Sequence, residues 1–350
     1  MLRDIRSPFL KPRIIGLKYT TASNVVTIGQ GVGSATITSA ATGSGVCSWT
    51  RAFARKPLVV ATADSNDIAA GGFVSGTTNT YPASTGFTMK TVNSSATADD
   101  GTCYAAILGF DMKDPTRYSR RSNVLRGDSD QTKIVACQIN TASTGTVVIN
   151  ARNVSVQTRT GTGDITLKLR SAFANGSFVA VATAKSTTGQ IVQCQVTGSD
   201  TVRVKVFTNG GSTPADGIVN LLLIGDAQGT SERAGGAMPA VSDQRKPVIF
   251  GYSVIYASGA PTYDFNSGDA TLGNTATGRT TFTFNQAFAR EPIVVAMPIA
   301  NTGVRCCTIR SASSSAFEVG QFSSGNSLAV CTDGGGFQLI GIGFDDATEY

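Results

Sequence analysis

One stretch of alternating apolar and polar residues occurs three times in the chain. In each copy a Thr-Gly pair precedes apolar residues at every second position, and an Ala-Phe-Ala triplet follows at a constant interval from the glycine. Apolar residues at every second position predict a strand with one buried face. The three phenylalanines of the triplets are therefore expected to be equivalent core residues, and they are Phe53, Phe173 and Phe288.

Each alternating stretch is followed by a run that is apolar on both faces. The runs read LVVATA from Leu58, FVAVAT from Phe178 and IVVAMP from Ile293. Such runs predict a central strand that is covered on both sides. No segment has a convincing 3.6-residue period, and short strands separated by turn signals are typical of an antiparallel β-sandwich.

The spacing of the copies predicts the domain organisation. A period above about one hundred residues indicates duplicated domains rather than a solenoid, and 350 residues suit two or three domains. We predict an all-β fold with three tandem antiparallel β-sandwich domains from an internal triplication. The predicted segments are an N-terminal arm (1–12), sandwich one (13–111), a basic linker (112–131), sandwich two (132–227), a Gly/Ala-rich linker (228–246) and sandwich three (247–350).

Composition restricts the class of protein and its partners. Apolar residues make up 41% of the chain, which indicates a globular rather than a disordered protein, and a net charge of +6 permits an anionic partner without requiring one. No stretch approaches the roughly 18 apolar residues of a membrane span, so no membrane association is expected. The amino terminus is charged and contains prolines, without a signal-peptide pattern, which predicts synthesis in a cytoplasm.

The residue types exclude several kinds of chemistry. The chain has no histidine, which excludes serine–histidine and cysteine–histidine nucleophile pairs and histidine-based metal sites. The acidic pairs Asp99-Asp100 and Asp345-Asp346 stand at strand ends or turns, which favours a structural role over a glycosidase dyad. Asp64 and Asp67 supply too few oxygen ligands for more than a weak calcium hypothesis. We therefore predict no catalytic residue, no cofactor and no metal, and a protein that is not an enzyme.

The seven cysteines have no metal-type spacing. Cys47 and Cys137 align with apolar residues in the other copies, which indicates small core side chains. The adjacent pair Cys306-Cys307 invites a functional interpretation, but reduced structural residues are favoured.

The leader and the basic linker share a pattern that predicts an assembly arm. In both, an apolar pair stands between basic residues just before a sandwich begins. A buried apolar anchor with a charged rim is the usual distribution at an interface, although a solvated linker is the alternative. The arginines lack interleaved aromatics except Tyr118, so nucleic acid is not expected as a partner. The predicted arm residues are Phe9, Leu10, Arg120, Arg121, Val124 and Leu125.

In the third copy, core residues stand in a fixed order: Phe284, Phe288, Pro292, Val294 and Phe317. This pattern resembles sequences of phage tail-fibre and virion surface proteins, and it is similar to the H-type lectin domain. The resemblance rests on core positions and implies a β-sandwich. H-type lectin domains assemble as trimers, an arrangement that one chain with three copies would imitate, and the resemblance implies a homo-oligomer for which a trimer is plausible. In the other copies the same pattern is carried by Phe53, Pro57, Val59, Gly86 and Phe87 in copy one, and by Phe173 and Val179 in copy two, where Ser177 replaces the proline.

Together these features predict a non-enzymatic structural component of a tailed-bacteriophage virion whose partners are other virion proteins. Both a head decoration and a tail or fibre protein stay open. The alternative is a lectin-like receptor-binding protein that recognises host surface glycans. A depolymerase enzyme is the weakest hypothesis.

Overall fold

The computed structural model describes residues 10–22, 25–32, 35–49, 53, 57–64, 73–75, 86–92, 100–112, 126–127, 132–142, 148–149, 154–209, 213–227, 246–257, 259–266, 270–299, 306–322 and 336–345. These ranges contain strands and no helix. Accordingly, no helix in this part of the chain could cross a membrane.

The strands fall into three successive units. Unit 1 consists of β1 (Leu10–Ala22), β2 (Val25–Val32), β3 (Ala35–Ala41), β4 (Ser44–Trp49), β5 (Leu58–Ala63), β6 (Phe73–Ser75), β7 (Gly86–Val92) and β8 (Thr102–Met112). Strand β9 (Arg126–Gly127) lies in the basic linker and pairs in parallel with β1. Unit 2 consists of β10 (Thr132–Asn140), β11 (Val148–Ile149), β12 (Val154–Gly161), β13 (Asp164–Leu169), β14 (Phe173–Lys185), β15 (Gln190–Val196), β16 (Thr201–Thr208) and β17 (Ile218–Ala227). Unit 3 consists of β18 (Lys246–Ala257), β19 (Ala260–Asn266), β20 (Ala270–Ala276), β21 (Arg279–Phe284), β22 (Ile293–Ile299), β23 (Cys306–Ala312), β24 (Ala316–Phe322) and β25 (Gly336–Asp345).

All three units have the same two-sheet arrangement. The inner sheets have the orders β2-β1-β8-β5, β11-β10-β17-β14 and β19-β18-β25-β22, and the outer sheets have the orders β3-β4-β7-β6, β12-β13-β16-β15 and β20-β21-β24-β23. Neighbouring strands within each of these sheets are antiparallel. The all-β sandwich architecture is as the sequence predicts, whereas an origin by triplication stays a prediction.

Alternation along the strands places apolar side chains between the two sheets of each unit. On β13, Ile165, Leu167 and Leu169 are buried, while the intervening Lys168 is exposed. These side chains belong to one cluster with residues of the inner sheet, such as Leu221. The residue of unit 3 that is equivalent to Leu167 is Phe282. Its ring stacks on the ring of Phe317, with 4.6 Å between the centroids. The predicted half-buried strand therefore holds the outer sheet to the inner one.

The three equivalent phenylalanines lie inside these sandwiches. Their exposed fractions are 3% for Phe53, 0% for Phe173 and 4% for Phe288. A methyl group added at Gly109 would lie 2.1 Å from the Phe53 ring, and one added at Gly343 would lie 2.2 Å from the Phe288 ring. The last strand of units 1 and 3 thus needs glycine at this point, because the ring occupies the space of a side chain.

The Thr-Gly pairs form the hairpin turns of the outer sheets. Gly43, Gly163 and Gly278 have φ values of 61°, 62° and 66°, a left-handed conformation that glycine adopts without the steric cost of a Cβ. In unit 1 the Asp100 carboxylate accepts a hydrogen bond from the Gly43 amide at 2.7 Å, and Asp216 does the same for Gly163 at 2.6 Å. The recurrence of this motif in the sequence therefore has a local backbone cause.

The second face of each inner sheet packs against the other two units. Apolar residues from all three inner sheets belong to one cluster, which we call the central core. Leu58, Leu108 and Ile14 line it from unit 1, and the equivalent β-strand positions in the other units are also apolar. The members from units 2 and 3 are Ile134, Ala136, Val179, Val181, Leu222, Ile224, Ile249, Ile293, Val295, Met297, Ile340 and Ile342.

The central core corrects the interpretation of the runs that are apolar on both faces. The runs were expected to be central strands, but β5 and β22 are the last strands of their inner sheets. Their second face is buried by neighbouring units rather than by helices or by a further layer of the same domain. Among the three runs, as far as the described residues show, β14 alone has a further strand beside it, since it pairs with β23 of unit 3.

The first strand also begins earlier than the sequence predicts. Leu10 pairs with Met112, Lys11 with Asp111 and Pro12 with Phe110. Residues 10–12 therefore belong to the inner sheet of unit 1 and not to the arm, because β8 extends far enough to continue the ladder. The rest of the predicted arm at residues 1–9 lies outside the described residues.

We expect two glycine substitutions in turns to differ in their cost. Gly163 and Gly259 both have positive φ. A methyl group at Gly163 would lie 2.3 Å from the Ala215 carbonyl oxygen, whereas a methyl group at Gly259 would have no neighbouring atom within 4 Å. Gly259→Ala should cost about 1–2 kcal/mol, the usual penalty for this backbone conformation, and Gly163→Ala should cost clearly more. Chemical denaturation of both variants measures the difference. Equal losses of stability would contradict the turn geometry.

Candidate functional site

The structure brings polar side chains together where the units meet, at three contacts that we call seams. Seam 1–2 joins units 1 and 2, seam 2–3 joins units 2 and 3, and seam 3–1 closes the ring. At seam 1–2 the Thr62 hydroxyl accepts a hydrogen bond from the Ala182 amide at 2.8 Å and donates to the Ala182 carbonyl at 3.3 Å. One hydroxyl group thus satisfies both backbone groups that Ala182 directs away from its own sheet.

Seam 2–3 repeats this contact at the equivalent positions. Thr183 accepts from the Ala296 amide at 2.9 Å and donates to the Ala296 carbonyl at 3.1 Å. Thr62 and Thr183 are both 3% exposed. Since exposed strand edges invite unwanted pairing, the threonines cover an edge while they join two units.

A second position contributes hydrogen bonds at all three seams. It is Tyr104 in unit 1, Asn220 in unit 2 and Gln338 in unit 3, each five residues before the equivalent glycine of the last strand. Asn220 donates to the Val294 carbonyl at 2.9 Å, and the Gln338 side-chain oxygen accepts from the Val59 amide at 2.8 Å. Tyr104 accepts from the Val196 amide at 3.2 Å.

Strand pairing extends two of the seams. Asp64, which follows β5, forms a parallel bridge with Cys194 on the outer sheet of unit 2. The equivalent Lys185 pairs in parallel with Ile309 on the outer sheet of unit 3. Next to it, the Ser186 carbonyl accepts from Thr308 at 2.9 Å. The inner sheet of one unit and the outer sheet of the next are thereby joined into one eight-stranded sheet at seam 2–3.

Charged groups at the seams are paired. Lys185 donates to both carboxylate oxygens of Glu291 at 2.7 and 2.8 Å, and Gln138 donates to Glu291 at 2.8 Å. At seam 1–2 the buried Asp64 carboxylate accepts from the Tyr104 hydroxyl at 2.7 Å and lies 3.5 Å from the Lys18 ammonium. Burial, and next the charge of Asp64, hold the pKa of Tyr104 well above its usual value. Tyr104 therefore stays a neutral donor at physiological pH.

Small residues let the sheets approach each other at the central core. A methyl group at Gly16 of unit 1 would lie 3.3 Å from side-chain atoms of Val179 and Ile224 in unit 2. The equivalent Gly251 of unit 3 faces Leu58 of unit 1, where a methyl group would lie 2.2 Å from Cδ1. Unit 1 thus packs on unit 2 in the same way as unit 3 packs on unit 1, which indicates a ring with a repeated contact.

Two basic residues lie over the equivalent phenylalanines. The Arg13 guanidinium lies 4.0 Å from the centroid of the Phe53 ring, and the Lys133 ammonium lies 5.0 Å from that of Phe173. Lys133 is 1% exposed and donates to the Ser171 carbonyl at 3.1 Å and to its hydroxyl at 3.0 Å. Lys133 thus holds the loop before Phe173, and the contact of each cation with an aromatic ring gives its burial a structural explanation.

The candidate carboxylates of the sequence are not brought together as a catalytic pair among the described residues. Asp100 binds the Gly43 turn and Asp64 binds Tyr104 at seam 1–2, whereas Asp67, Asp99 and Asp346 lie outside the described part. No group of three or more histidine, cysteine or acidic side chains in the described part could hold a metal ion. What the polar side chains at the seams do chemically is to donate and accept hydrogen bonds at strand edges of a neighbouring unit.

The predicted arm falls mostly outside what the structure describes. The arm residues outside the described part are Phe9, Arg120, Arg121, Val124 and Leu125. Leu10 is described only as the first residue of β1. The seam residues, by contrast, escaped the sequence-based prediction. The signal was present in the shared threonine of LVVATA and FVAVAT, but a threonine in an apolar run predicts strand propensity and not a partner.

Comparison with known proteins gives no relative for this chain. No protein-family model, no curated protein and no solved structure matches it.

We expect Thr183→Val to weaken the assembly of units. The change keeps the shape of the side chain but removes the hydroxyl that binds both backbone groups of Ala296, so the free energy of unfolding should fall by about 1–3 kcal/mol. Thr271→Val is the matched control, because its hydroxyl also donates to a strand carbonyl, that of Thr283, but at an exposed site. Equal denaturation midpoints for the two variants would contradict a role for the seam threonine.

We expect the buried cysteines to resist thiol reagents in the native protein. Burial raises the pKa of Cys47, Cys137 and Cys306 to about 12, so at pH 8 only about one thiol in ten thousand is the reactive thiolate. Peptide mapping after alkylation should show these three residues modified in denaturant and unmodified without it. Native labelling at the rate of an exposed thiol would contradict this environment.

Proposed function

We propose that this chain is a non-enzymatic structural component of a tailed-bacteriophage virion that acts through protein–protein contacts. The observation that carries the proposal is the closure of three sandwiches around one shared apolar core. Threonine, amide and charged side chains at the seams bind the backbone or the charges of the next unit. Such a body keeps its shape under load, as a particle component must.

The phage context rests on the resemblance of the third copy to tail-fibre and virion surface proteins. Head decoration and tail or fibre protein are both compatible with a closed ring, and other virion proteins are the partners. The ring also bears on the oligomeric state, because one chain supplies the three sandwiches that three single-domain chains would otherwise supply. The expected homo-oligomer then consists of whole copies of this three-sandwich chain.

The location is tested by mass spectrometry of purified particles. Particles from the source culture are separated on a density gradient, and the chain is quantified against the major capsid protein. The proposal predicts a constant ratio of the two proteins across the particle peak. A chain that stays with the soluble host fraction and is missing from that peak would overturn it.

The lectin-like alternative is favoured by one observation, namely that the three sandwiches form a ring within one chain. The H-type lectin domains that copy three resembles assemble as trimers, which would place three sandwiches together in a comparable way. A glycan array with the purified chain distinguishes this function from a purely structural one. Saturable binding to a defined host surface glycan would support the alternative. Absence of binding at high protein concentration would remove it.

Deletion of residues 1–9 tests the proposed arm. We expect the truncated chain to fold, because β1 begins at Leu10, and to be missing from purified particles, because the deletion removes Phe9 of the apolar pair together with the basic residues Arg3 and Arg6. The deletion must stop at residue 9, since residues 10–12 pair with β8. A thermal melt provides the folding control. Normal incorporation of the truncated chain would exclude residues 1–9 from the assembly contact.

A further inference from the structure

The ladder register shows that the three seams use different residues at one position. Ala61, Ala182 and Ala296 are equivalent, because they pair with Ala105, Leu221 and Leu339, each four residues before the equivalent glycine of the last strand. The residue after each alanine is Thr62 in unit 1, Thr183 in unit 2 and Met297 in unit 3. Seam 3–1 therefore has a methionine where the other two seams have a threonine.

A methionine cannot replace the bonds of that threonine. The threonine hydroxyl both donates to a carbonyl and accepts from an amide, whereas a thioether sulfur is only a weak acceptor. Met297 is 6% exposed and belongs to the central core. At seam 3–1 it contributes apolar packing, and the Ala61 edge of β5 receives no hydroxyl from it.

The strand contact of seam 3–1 differs as well. The residue equivalent to Asp64 and Lys185 is Ile299, which has no charge. Asp64 and Lys185 each pair with the outer sheet of the next unit. Strand β22 contacts β6 of unit 1, but within the described residues no ladder pair joins them.

Seam 3–1 also joins parts that are far apart in the chain. Seams 1–2 and 2–3 each connect consecutive units, so one linker keeps their partners close together. Units 1 and 3 are tethered only through unit 2, and longer closed loops cost more entropy. At this seam the Gln338 side-chain oxygen accepts a hydrogen bond from the Val59 amide, Gly251 packs on Leu58, and Met297 and other apolar residues of unit 3 pack on unit 1 in the central core.

We propose that the ring opens first at seam 3–1, and that unit 3 then also leaves unit 2 and takes the same place in the opened ring of a second copy of this chain. Unit 3 of each copy then packs on units 1 and 2 of the other copy, and the two exchanges close a dimer. The contacts are those of the closed ring, with Gln338 bound to Val59 and Leu58 against Gly251. Exchange of identical elements between copies needs no new interface.

Amide hydrogen exchange of the full-length chain tests the opening without a mutation. The Ala61 amide should exchange about tenfold faster than the equivalent amides of Ala182 and Ala296, because opening of seam 3–1 and the missing hydroxyl bond both lower its protection. Equal protection of all three amides would overturn the proposal.

Substitution of Met297 tests the cause. In Met297→Thr a hydroxyl becomes available to Ala61, and exchange at Ala61 should slow to the rate of Ala182 and Ala296. Met297→Leu is the control, because it keeps an apolar side chain of similar volume, and it should leave the rate fast. If the Ala61 amide exchanges as fast in Met297→Thr as in Met297→Leu, the missing hydroxyl at position 297 is not the cause of its low protection.

The second copy is tested by light scattering coupled to size-exclusion chromatography. After incubation at high concentration in mild denaturant and return to native buffer, the parent chain and Met297→Leu should contain a dimer fraction. Met297→Thr should contain several-fold less, because its seam 3–1 opens less often. A parent chain that stays monomeric throughout, or equal dimer fractions in both variants, would overturn the proposed exchange.

Discussion

The structure depends on inner sheets that are apolar on both faces. A sheet in a two-layer sandwich needs only one apolar face, because water covers the other. In unit 2, for example, Ala180 belongs to the cluster that includes the outer sheet, while Val179 and Val181 on either side of it belong to the central core. No unit can bury this second face alone, so each needs the other two. This constraint explains the ring, the close approach at Gly16 and Gly251, and the low content of charged residues, 15% of the chain.

Burial of sheets against one another raises the problem of their edges. A strand edge inside a protein leaves amide and carbonyl groups that must find partners. Thr62 and Thr183 solve this with single hydroxyl groups, and Asn220 and Gln338 do so with amides. These side chains are short, so they also fix the distance between neighbouring units. The seams thus combine apolar contact with a defined hydrogen-bond geometry.

Sequence patterns were sufficient for the elements but not for their arrangement. Period-two alternation located strands such as β13 and β21, and the Thr-Gly pairs located turns whose glycines have positive φ. The apolar run at Leu58 predicted a central strand, yet β5 ends its inner sheet and is covered by another unit. Burial on both faces looks the same in sequence whether the cover is a second layer or a second domain. The seam threonines were overlooked for a related reason, since their partners are backbone groups and leave no mark in the sequence.

Differential scanning calorimetry tests the shared core most directly. If three sandwiches depend on one central core, the chain should unfold in a single transition whose calorimetric and van't Hoff enthalpies agree. Both should correspond to a unit much larger than one sandwich, at about 0.7 kcal/mol for each residue near 60 °C. Three separable transitions, each with a van't Hoff enthalpy suited to about one hundred residues, would show independent domains and contradict the account.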